Sequence, residues 1–559
     1  MRERLMILGA GVMQGPAIRI AGEMGLFTVV VDADSQAPNA GLADRFEQID
    51  LKDKEGIEAL GRSLQKKGGL GGIMTAGTDF SATVAWAAER LGLSGIPWEA
   101  ALNASDKERM RGCFKKAGLP SPEFLSLSAI PAQWPPAAAA EASSALAAYP
   151  LVVKPVDNMG GRGCRRVNCL AELQAAAGEA LGFSRSGRAI VEAFMEGPEF
   201  SVDAIVYGEE IIICGLADRH IFFPPYFIEM GHTMPTAFNR EDQRRVLETF
   251  RAGIRALGIA GPGHAGAAKG DIKLTPSGPM IGEIAARLSG GYMSGWTYPY
   301  ASGVEPVRGA ILACLGRKPG GLEPQKGWTS AERAFISIPG KIRALRGAEA
   351  ARQIPFVQDL FFRAAEGSRA KFPENNVTKC GNVISAAPSR EAAVEAAEKA
   401  ARTILIRLEP GDEETASFLA ASPFPAGAAP VLASPAPDQA PGGFPPDAFS
   451  LTGELRGLLA RLPEGGAATE PSAGGPAILA FPEFAASGLR DYMGRTVEES
   501  LEAVRLLTGL SLPLAGTLSD NKTVLGRSFW AALVRGGYQG AAYLVDSGPA
   551  EKTGGGSPE

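Results

Sequence analysis

Strand and helix signals alternate through the first hundred residues, and this alternation constrains the fold more than any other feature. Leu5–Leu8 is apolar, a glycine turn follows at Gly9-Ala10-Gly11-Val12-Met13-Gln14, and a helix opens near Pro16. Thr28–Val31 is then β-branched and Gly72–Thr75 is a second apolar run. A chain that alternates in this way forms a parallel sheet wrapped by helices. The start MRERLMILGAG reads as the first strand rather than a signal peptide, because its apolar run is about half an h-region and leads into the glycine turn. A glycine turn between strand and helix suits phosphate binding, and Asp32 ends the second strand where a ribose-binding acid would sit. Gln14 stands where a dinucleotide fingerprint has its last glycine. The turn therefore reads better as a tight βα connection facing a ligand of another kind.

At 559 residues the chain is too long for one core, and about three or four domains are expected. From Leu151 to Leu274 the pattern changes to antiparallel strands, glycine turns and interspersed helices. Residues 333–408 read as a further small α+β unit ending in a helix over Arg390–Leu408, capped by Ser389 and stopped by Pro410-Gly411. Residues 411–475 are rich in Pro, Ala and Gly and read mostly as linker, with one short helical pattern at Leu451–Leu462. Amphipathic patterns at Val497–Leu507 and Ser528–Val534 and a strand-like Ala541–Val545 follow, with Phe529-Trp530 a core pair or a contact site. A net charge of -5 and the lack of a Lys/Arg run exclude a nucleic-acid partner. No stretch reaches the roughly 18–20 apolar residues of a membrane span. The six scattered cysteines form no CxxC pair and read as reduced thiols of a cytoplasmic protein.

Four segments can carry chemistry. Ser105-Asp106-Lys107-Glu108 has capping-box spacing, which places Lys107 in the first turn of a helix. Leu151–Pro155 is a strand ending in Lys154, followed by the glycine loop Met159-Gly160-Gly161-Arg162-Gly163; a cation beside exposed backbone N–H groups suits a triphosphate. On its own this segment reads equally as a solvated hairpin. Glu192 and Glu199 bracket a turn carrying Ala193, Phe194 and Met195, and Glu199, Ser201 and Asp203 share one face of the strand that follows. Such a face is ordinarily solvated, but here it can bind adenine on one side and ribose hydroxyls on the other. The last segment runs from Gly270 to Arg287 and has the form of a hairpin turned at Pro276–Pro279. A register symmetric about Ser277 sets Asp271 opposite Glu283, with Cβ atoms about 5 Å apart. Two acids so placed repel unless a divalent cation neutralises both. A one-residue slip would separate them.

The order of these segments resembles the ATP-grasp superfamily, nearest the branch of L-amino acid ligases, glycinamide ribonucleotide synthetase and biotin carboxylase. The resemblance covers residues 1 to about 410. It implies a mixed α/β and α+β fold: a Rossmann-like pre-ATP-grasp domain over 1–103, a two-lobed ATP-grasp domain over 104–318 with its lid at about 148–206, and a C-terminal subdomain over 319–410. The linker (411–475) and a small C-terminal domain of unknown role (476–559) complete the chain. By the same resemblance Lys107 and Lys154 bind phosphates, Gly160, Gly161 and Gly163 form the lid, and Glu192, Ala193, Phe194, Met195 and Glu199 receive adenine and ribose. Asp271 and Glu283 bind Mg²⁺, or Mn²⁺ in its place, and Arg287 steadies an acyl phosphate. Many members carry Asn where this chain has Ala285, which leaves the second metal less firmly held. Gly11, Gln14, Asp79, Glu229, His232, Arg287, Gly290 and Gly291 are candidate substrate contacts. His264 is a candidate catalytic residue or a structural histidine, His220 is structural, and Tyr292 and Trp296 are candidates for the substrate wall.

The resemblance implies an ADP-forming ligase that joins a small-molecule carboxylate to an amine through an acyl phosphate, and it is consistent with a homodimer. A carboxylase that activates bicarbonate is the first alternative, and a non-catalytic ATP-binding module is the second.

Overall fold

A computed structural model describes residues 2–135, 144–421, 446–464, 477–510 and 524–548. The chain divides into two compact units, Met1–Glu332 with Ile384–Glu395, and Arg333–Val383 with Ala396–Glu559. The first unit opens with the parallel sheet that the alternation implies. Strands β1 (Arg4–Leu8), β2 (Phe27–Asp32), β3 (Arg45–Gln48) and β4 (Gly72–Met74) lie in the order β3-β2-β1-β4, and all pairs are parallel. Helices α1 (Gly15–Glu23), α2 (Lys54–Lys66) and α3 (Ser81–Leu91) connect them. Leu5 and Ile7 face one core with Ala17 and Ile18 of α1, while Met6 and Leu8 face another with Ile57 and Leu60 of α2. Burial of each such side chain contributes about 1.5–3 kcal/mol.

Helices α4 (Trp98–Ser105) and α5 (Lys107–Lys116) lead out of this sheet. The cap of α5 is Asp106 rather than the expected Ser105, since the Asp106 carboxylate accepts from the Glu108 and Arg109 amides at 2.9 and 3.1 Å. Ser105 closes α4 instead, its hydroxyl donating to the Ala101 carbonyl. Lys107 is still the first residue of its helix.

Strands β5 (Phe124–Leu127), β6 (Leu151–Pro155), β7 (Arg165–Val167) and β8 (Ala189–Ala193) form an antiparallel sheet in the order β5-β8-β6-β7. The short α6 (Ser144–Ala147) precedes β6, and α7 (Leu170–Phe183) packs its Leu173, Ala176 and Ala180 onto Leu151 and Val153. A larger antiparallel sheet holds β9 (Glu199–Tyr207), β10 (Glu210–Phe222), β11 (Ile228–Met234), β12 (Ala265–Thr275) and β13 (Gly278–Ala285), ordered β13-β12-β9-β10-β11. Helix α8 (Arg240–Ala256) buries Val246, Phe250 and Ile254 against Ile272, Ile281 and Ile284. Phe200, Val202 and Ala204 of β9 join that core, which leaves Glu199, Ser201 and Asp203 on the opposite face.

In the second unit the helix expected over Arg390–Leu408 ends at Thr403, and Leu405–Leu408 is a strand paired antiparallel with Gly340–Arg346. The described residues of 446–464, 477–510 and 524–548 contribute to one core with that strand. Leu405 packs with Phe449, Phe481, Phe484, Val504 and Trp530, and Arg407 pairs with Asp546 at 2.5 Å. Phe529 and Trp530 are fully buried, as a core pair. The segment read as linker contains helices Glu413–Ala420 and Gly453–Arg461, and its residues 422–445 and 465–475 lie outside the described residues. The expected strand Ala541–Val545 belongs to the helix Arg527–Ser547, which breaks at Gly537. Small residues explain the difference: Ala541 and Ala542 are buried, and a Cβ on Gly540 would lie 2.3 Å from the Ala532 carbonyl, so close packing outweighs β propensity. Among the described residues no helix is long and apolar enough to cross a membrane.

Candidate functional site

All the chemistry-bearing segments of the first unit except one converge on the polar face of β9. Asp271 and Glu283 are direct cross-strand partners, by a route the sequence did not indicate. The turn is the two residues Pro276-Ser277, since Thr275 pairs with Gly278. Carried along the ladder, that register would set Asp271 opposite Gly282 and send the Glu283 side chain to the far face. A bulge between Asp271 and Ile272 absorbs one residue of β13 and restores the Asp271–Glu283 pair.

Cations surround the two acids. Lys107 lies 3.7 Å from Glu283, Arg219 lies 3.1 Å from Asp271, Lys269 contacts Asp271, and the Ser201 hydroxyl donates to Asp271 at 2.9 Å. Burial would push both carboxyls up. Arg219 and Lys269 hold Asp271 below its ordinary value, and Lys107 and Lys269 do the same for Glu283. Both acids are thus held ionised on one face. Among the described residues no cluster of three or more His, Cys, Asp or Glu side chains is set to hold a metal. Two ionised carboxylates fit a Mg²⁺ that completes its shell with phosphate oxygens and water.

Lys154 is the last residue but one of β6 and pairs with Glu192 at 2.6 Å. Glu192 is 2% exposed and also meets Arg111 at 2.8 Å. Burial acts to raise the Glu192 carboxyl, but Arg111 and Lys154 hold it at about 2. Glu192 is therefore paired with two cations. Arg111 is fully buried, and its guanidinium also donates to the Ile281 and Gly282 carbonyls at 3.2 and 2.6 Å. It thereby ties the lysine strand to the bulge that registers the metal acids. The Lys107 ammonium donates to the Asn158 carbonyl at 2.8 Å, at the foot of the lid loop. Gly160 and Gly161 in that loop have φ of +71° and +77°, successive left-handed residues that suit glycine.

On the nucleoside side, Lys273 donates to the Met195 carbonyl at 3.1 Å and lies 3.8 Å from Glu199. Its ammonium stands 5.3 Å over the Phe194 ring, with Arg166 5.0 Å from the same ring. The Ala193 amide donates to the Glu123 carbonyl at 2.9 Å. Glu199 pairs with Arg219.

On the substrate side, Glu229 meets Arg219 at 2.8 Å and His232 at 3.5 Å. His232 is fully buried, and its Nδ1 lies 2.9 Å from Glu332. Burial works against its charge, yet Glu229 and Glu332 raise it to about 9. A Cβ on Gly291, where φ is +63°, would lie 2.8 Å from Glu229 and 3.4 Å from His232, so Gly291 brings the turn after Arg287 onto this cluster. Gly290 is in ordinary contact with Gly77, whose Cα would lie 3.6 Å from a Cβ on Gly290. The turn is pinned by Asp203, which accepts the Ser289 amide at 2.9 Å and the Ser289 hydroxyl. Burial pushes Asp203 up to about 6. Arg287 donates to the Leu288 carbonyl at 3.0 Å, and its guanidinium forms no ion pair among the described residues. Tyr292 is buried, Trp296 is half-buried, and the two rings meet edge to face at 5.5 Å.

His264 is placed elsewhere, and Gly11, Gln14, Asp32 and Asp79 are engaged with partners of their own. His264 sits at the opposite end of β12, next to Gly261 and before Ala265, about 20 Å along the strand from Asp271, because seven residues of extended chain separate them. The Gln14 amide donates to the Ala76 carbonyl, and Asn39 donates to the Gly11 carbonyl at 2.8 Å; Ala76 in turn bridges to Leu288 and Gly77 lies between Met13 and Gly290, so the first glycine turn abuts the turn that follows Arg287. Asp32 is consumed likewise, accepting the Ala10 amide at 2.8 Å. Asp79 pairs with Arg185.

Arg111, Arg219, Lys269, Lys273 and Glu332 have no role assigned from the sequence. Lys269 and Lys273 flank Asp271 at the period of a strand face, and Arg111 follows Lys107 by one helical turn, so those three were recoverable. Arg219 and Glu332 reach the site only through sheet pairing.

The paired acids Asp271 and Glu283, the lysines Lys107 and Lys154 and the glycine loop lie in a fold of the ATP-grasp type. A family model for the ATP-grasp domain matches residues 104–291, and one for L-amino acid ligase C-terminal domain 2 matches residues 334–409. The chain thus carries an ATP-grasp domain followed by a domain of the L-amino acid ligase C-terminal type. It is 24% identical over 386 residues to an uncharacterised protein of Sinorhizobium fredii, covering 68% of this chain and 77% of that one. It is also 24% identical over 335 residues to carnosine synthase 1 of Gallus gallus, covering 57% of this chain but only 36% of that one. In fold it is similar to L-amino acid ligase from Bacillus licheniformis, with a TM-score of 0.62, 20% identity, and coverage of 73% of this chain and 99% of that one.

Proposed function

We propose that this chain joins a small-molecule carboxylate to an amine in the cytoplasm, forming an amide or peptide bond through an acyl phosphate, with release of ADP and phosphate. The observation that carries this reading is the bulge-registered Asp271–Glu283 pair followed by Arg287, whose guanidinium forms no ion pair among the described residues. Mg²⁺ held by Asp271 and Glu283, or Mn²⁺ in its place, supplies positive charge to the phosphates when bound. Lys107 and Lys154 stand where they would neutralise the transferring phosphoryl group. A substrate carboxylate oxygen forms the new P–O bond as the bond to ADP breaks, Arg287 holds the acyl phosphate, and attack by a neutral amine expels phosphate as the nitrogen loses its proton. Closure of the Gly160–Gly163 loop would exclude water from that intermediate. The L-amino acid ligase C-terminal domain at residues 334–409 supports an amino acid as substrate over bicarbonate.

Phosphate release measured with MgATP and pooled amino acids, against MgATP and bicarbonate, tests the proposal. Stimulation by amino acids together with an amide product in the mass spectrum is expected. Stimulation by bicarbonate alone would favour the carboxylase.

A further inference from the structure

Arg219 lies outside every motif, yet its guanidinium joins three acids that the family resemblance assigns to three different ligands. One nitrogen, Nη1, contacts Glu199, the ribose acid, and lies 3.1 Å from Asp271, the metal acid. Its Nε lies 2.8 Å from Glu229 on the substrate side. The side chain is 14% exposed. Burial works against its charge, and Asp271, Glu199 and Glu229 hold it cationic. Along the sheet, Asp271 pairs with Ser201, and Glu199 is the next residue on the same face of β9, about 7 Å away. A nucleotide whose ribose meets Glu199 and whose metal meets Asp271 must run its phosphate chain across that interval, and Nη1 bridges it.

We infer that Arg219 is a catalytic residue that contacts the triphosphate, supplying a third protein cation beside Lys107 and Lys154 from the floor of the site. A guanidinium presents several donors in a fixed plane and is matched to phosphate oxygens. Nε can stay on Glu229 while the terminal nitrogens turn to the phosphates, so a single side chain would carry both nucleotide and substrate contacts. The inference rests on the ATP reading of the site.

Binding measured without metal separates the alternatives. The full chain, in EDTA, is titrated calorimetrically with inorganic tripolyphosphate, ATP and adenosine, for wild type, Arg219→Gln and Arg219→Lys. Arg219→Gln is expected to bind tripolyphosphate and ATP about 10- to 100-fold more weakly, the loss of a charge-assisted contact. Its adenosine affinity should stay within about threefold. Arg219→Lys, which keeps the charge and loses the fork, should fall between. Should Arg219→Gln fail to fold, as judged by circular dichroism, Arg219→Lys decides the matter, with tripolyphosphate affinity reduced or unchanged. Wild type that binds ATP while the folded variants bind tripolyphosphate equally well overturns the assignment of Arg219 alone. Parallel loss of adenosine and tripolyphosphate affinity also overturns it, in favour of a purely architectural role. Wild type that binds neither ATP nor tripolyphosphate removes the ATP reading itself, and the inference with it.

Discussion

Replacing Arg111 with methionine keeps roughly the side-chain length and removes the charge that Glu192 depends on. Glu192 moves from its ordinary 4.5 to about 2 in the folded chain, a shift that corresponds to about 3 kcal/mol. Lys154 remains at 2.6 Å, so part of that stabilisation survives, but the Ile281 and Gly282 carbonyls also lose their donor, at about 1 kcal/mol each. The sum, about 3–4 kcal/mol, agrees with the usual cost of removing one member of a buried pair. Tryptophan fluorescence in urea is the assay, since Trp86, Trp98, Trp134, Trp296 and Trp328 all lie in the first unit. The Glu192 contribution is present above pH 4.5 and lost as pH falls through about 2, so the difference from wild type should be full at pH 7 and shrink in acid. In the double variant with Glu192→Gln, the cost should be smaller than the sum of the single costs by about 1 kcal/mol or more. The Mg²⁺ concentration for half-maximal phosphate release should also rise, because Arg111 holds the bulge that pairs the metal acids. A loss below about 1 kcal/mol with an unchanged Mg²⁺ requirement would refute the role given to Arg111.

Glu283→Gln, in which the nearest cation is Lys107 at 3.7 Å, should fold and lose about 10²- to 10³-fold in Mg²⁺-dependent phosphate release; a folded variant with wild-type turnover counts against the metal pair. His232, raised from 6.5 to about 9, contributes about 3 kcal/mol that is complete below pH 6.5 and lost as pH rises to about 9. The urea midpoint of wild type should therefore fall across that window, and His232→Gln should flatten the profile. Asp203 is raised from 3.8 to about 6, so its native form takes up a proton before the unfolded form does. Its effect on stability becomes less unfavourable as pH falls from 6 to about 4, and Asp203→Asn should remove that slope while keeping an acceptor for the Ser289 amide.

Local chemistry made part of this molecule legible. The apolar and β-branched runs through residue 75 specify a parallel sheet because helix crossovers bury both of its faces, and Lys107, Lys154 and the lid glycines announce themselves by cap, strand end and turn. The pairing of Asp271 with Glu283 was read from a symmetric hairpin, whereas the chain reaches it with a shorter turn and a bulge, a combination that hydrophobic pattern does not encode. Arg219 shows the limit most clearly. Its partners are 20, 10 and 52 residues away in sequence, on β9, β11 and β12, and only strand order brings them together. His264 illustrates the converse: nearness to Asp271 in sequence means distance in space when the intervening residues form a strand. In the second unit, close packing at glycine and alanine made a helix of a stretch whose composition favours a strand.

The most direct test of the proposed chemistry follows the oxygen atom. The chain is incubated with MgATP and amino acids labelled with ¹⁸O in the carboxyl group, and the released phosphate is analysed by mass spectrometry. An acyl phosphate broken by an amine leaves one labelled carboxyl oxygen in the phosphate, together with an amide product in equal amount. Phosphate that takes its new oxygen from water, with no label and no amide, would contradict carboxylate activation at this site.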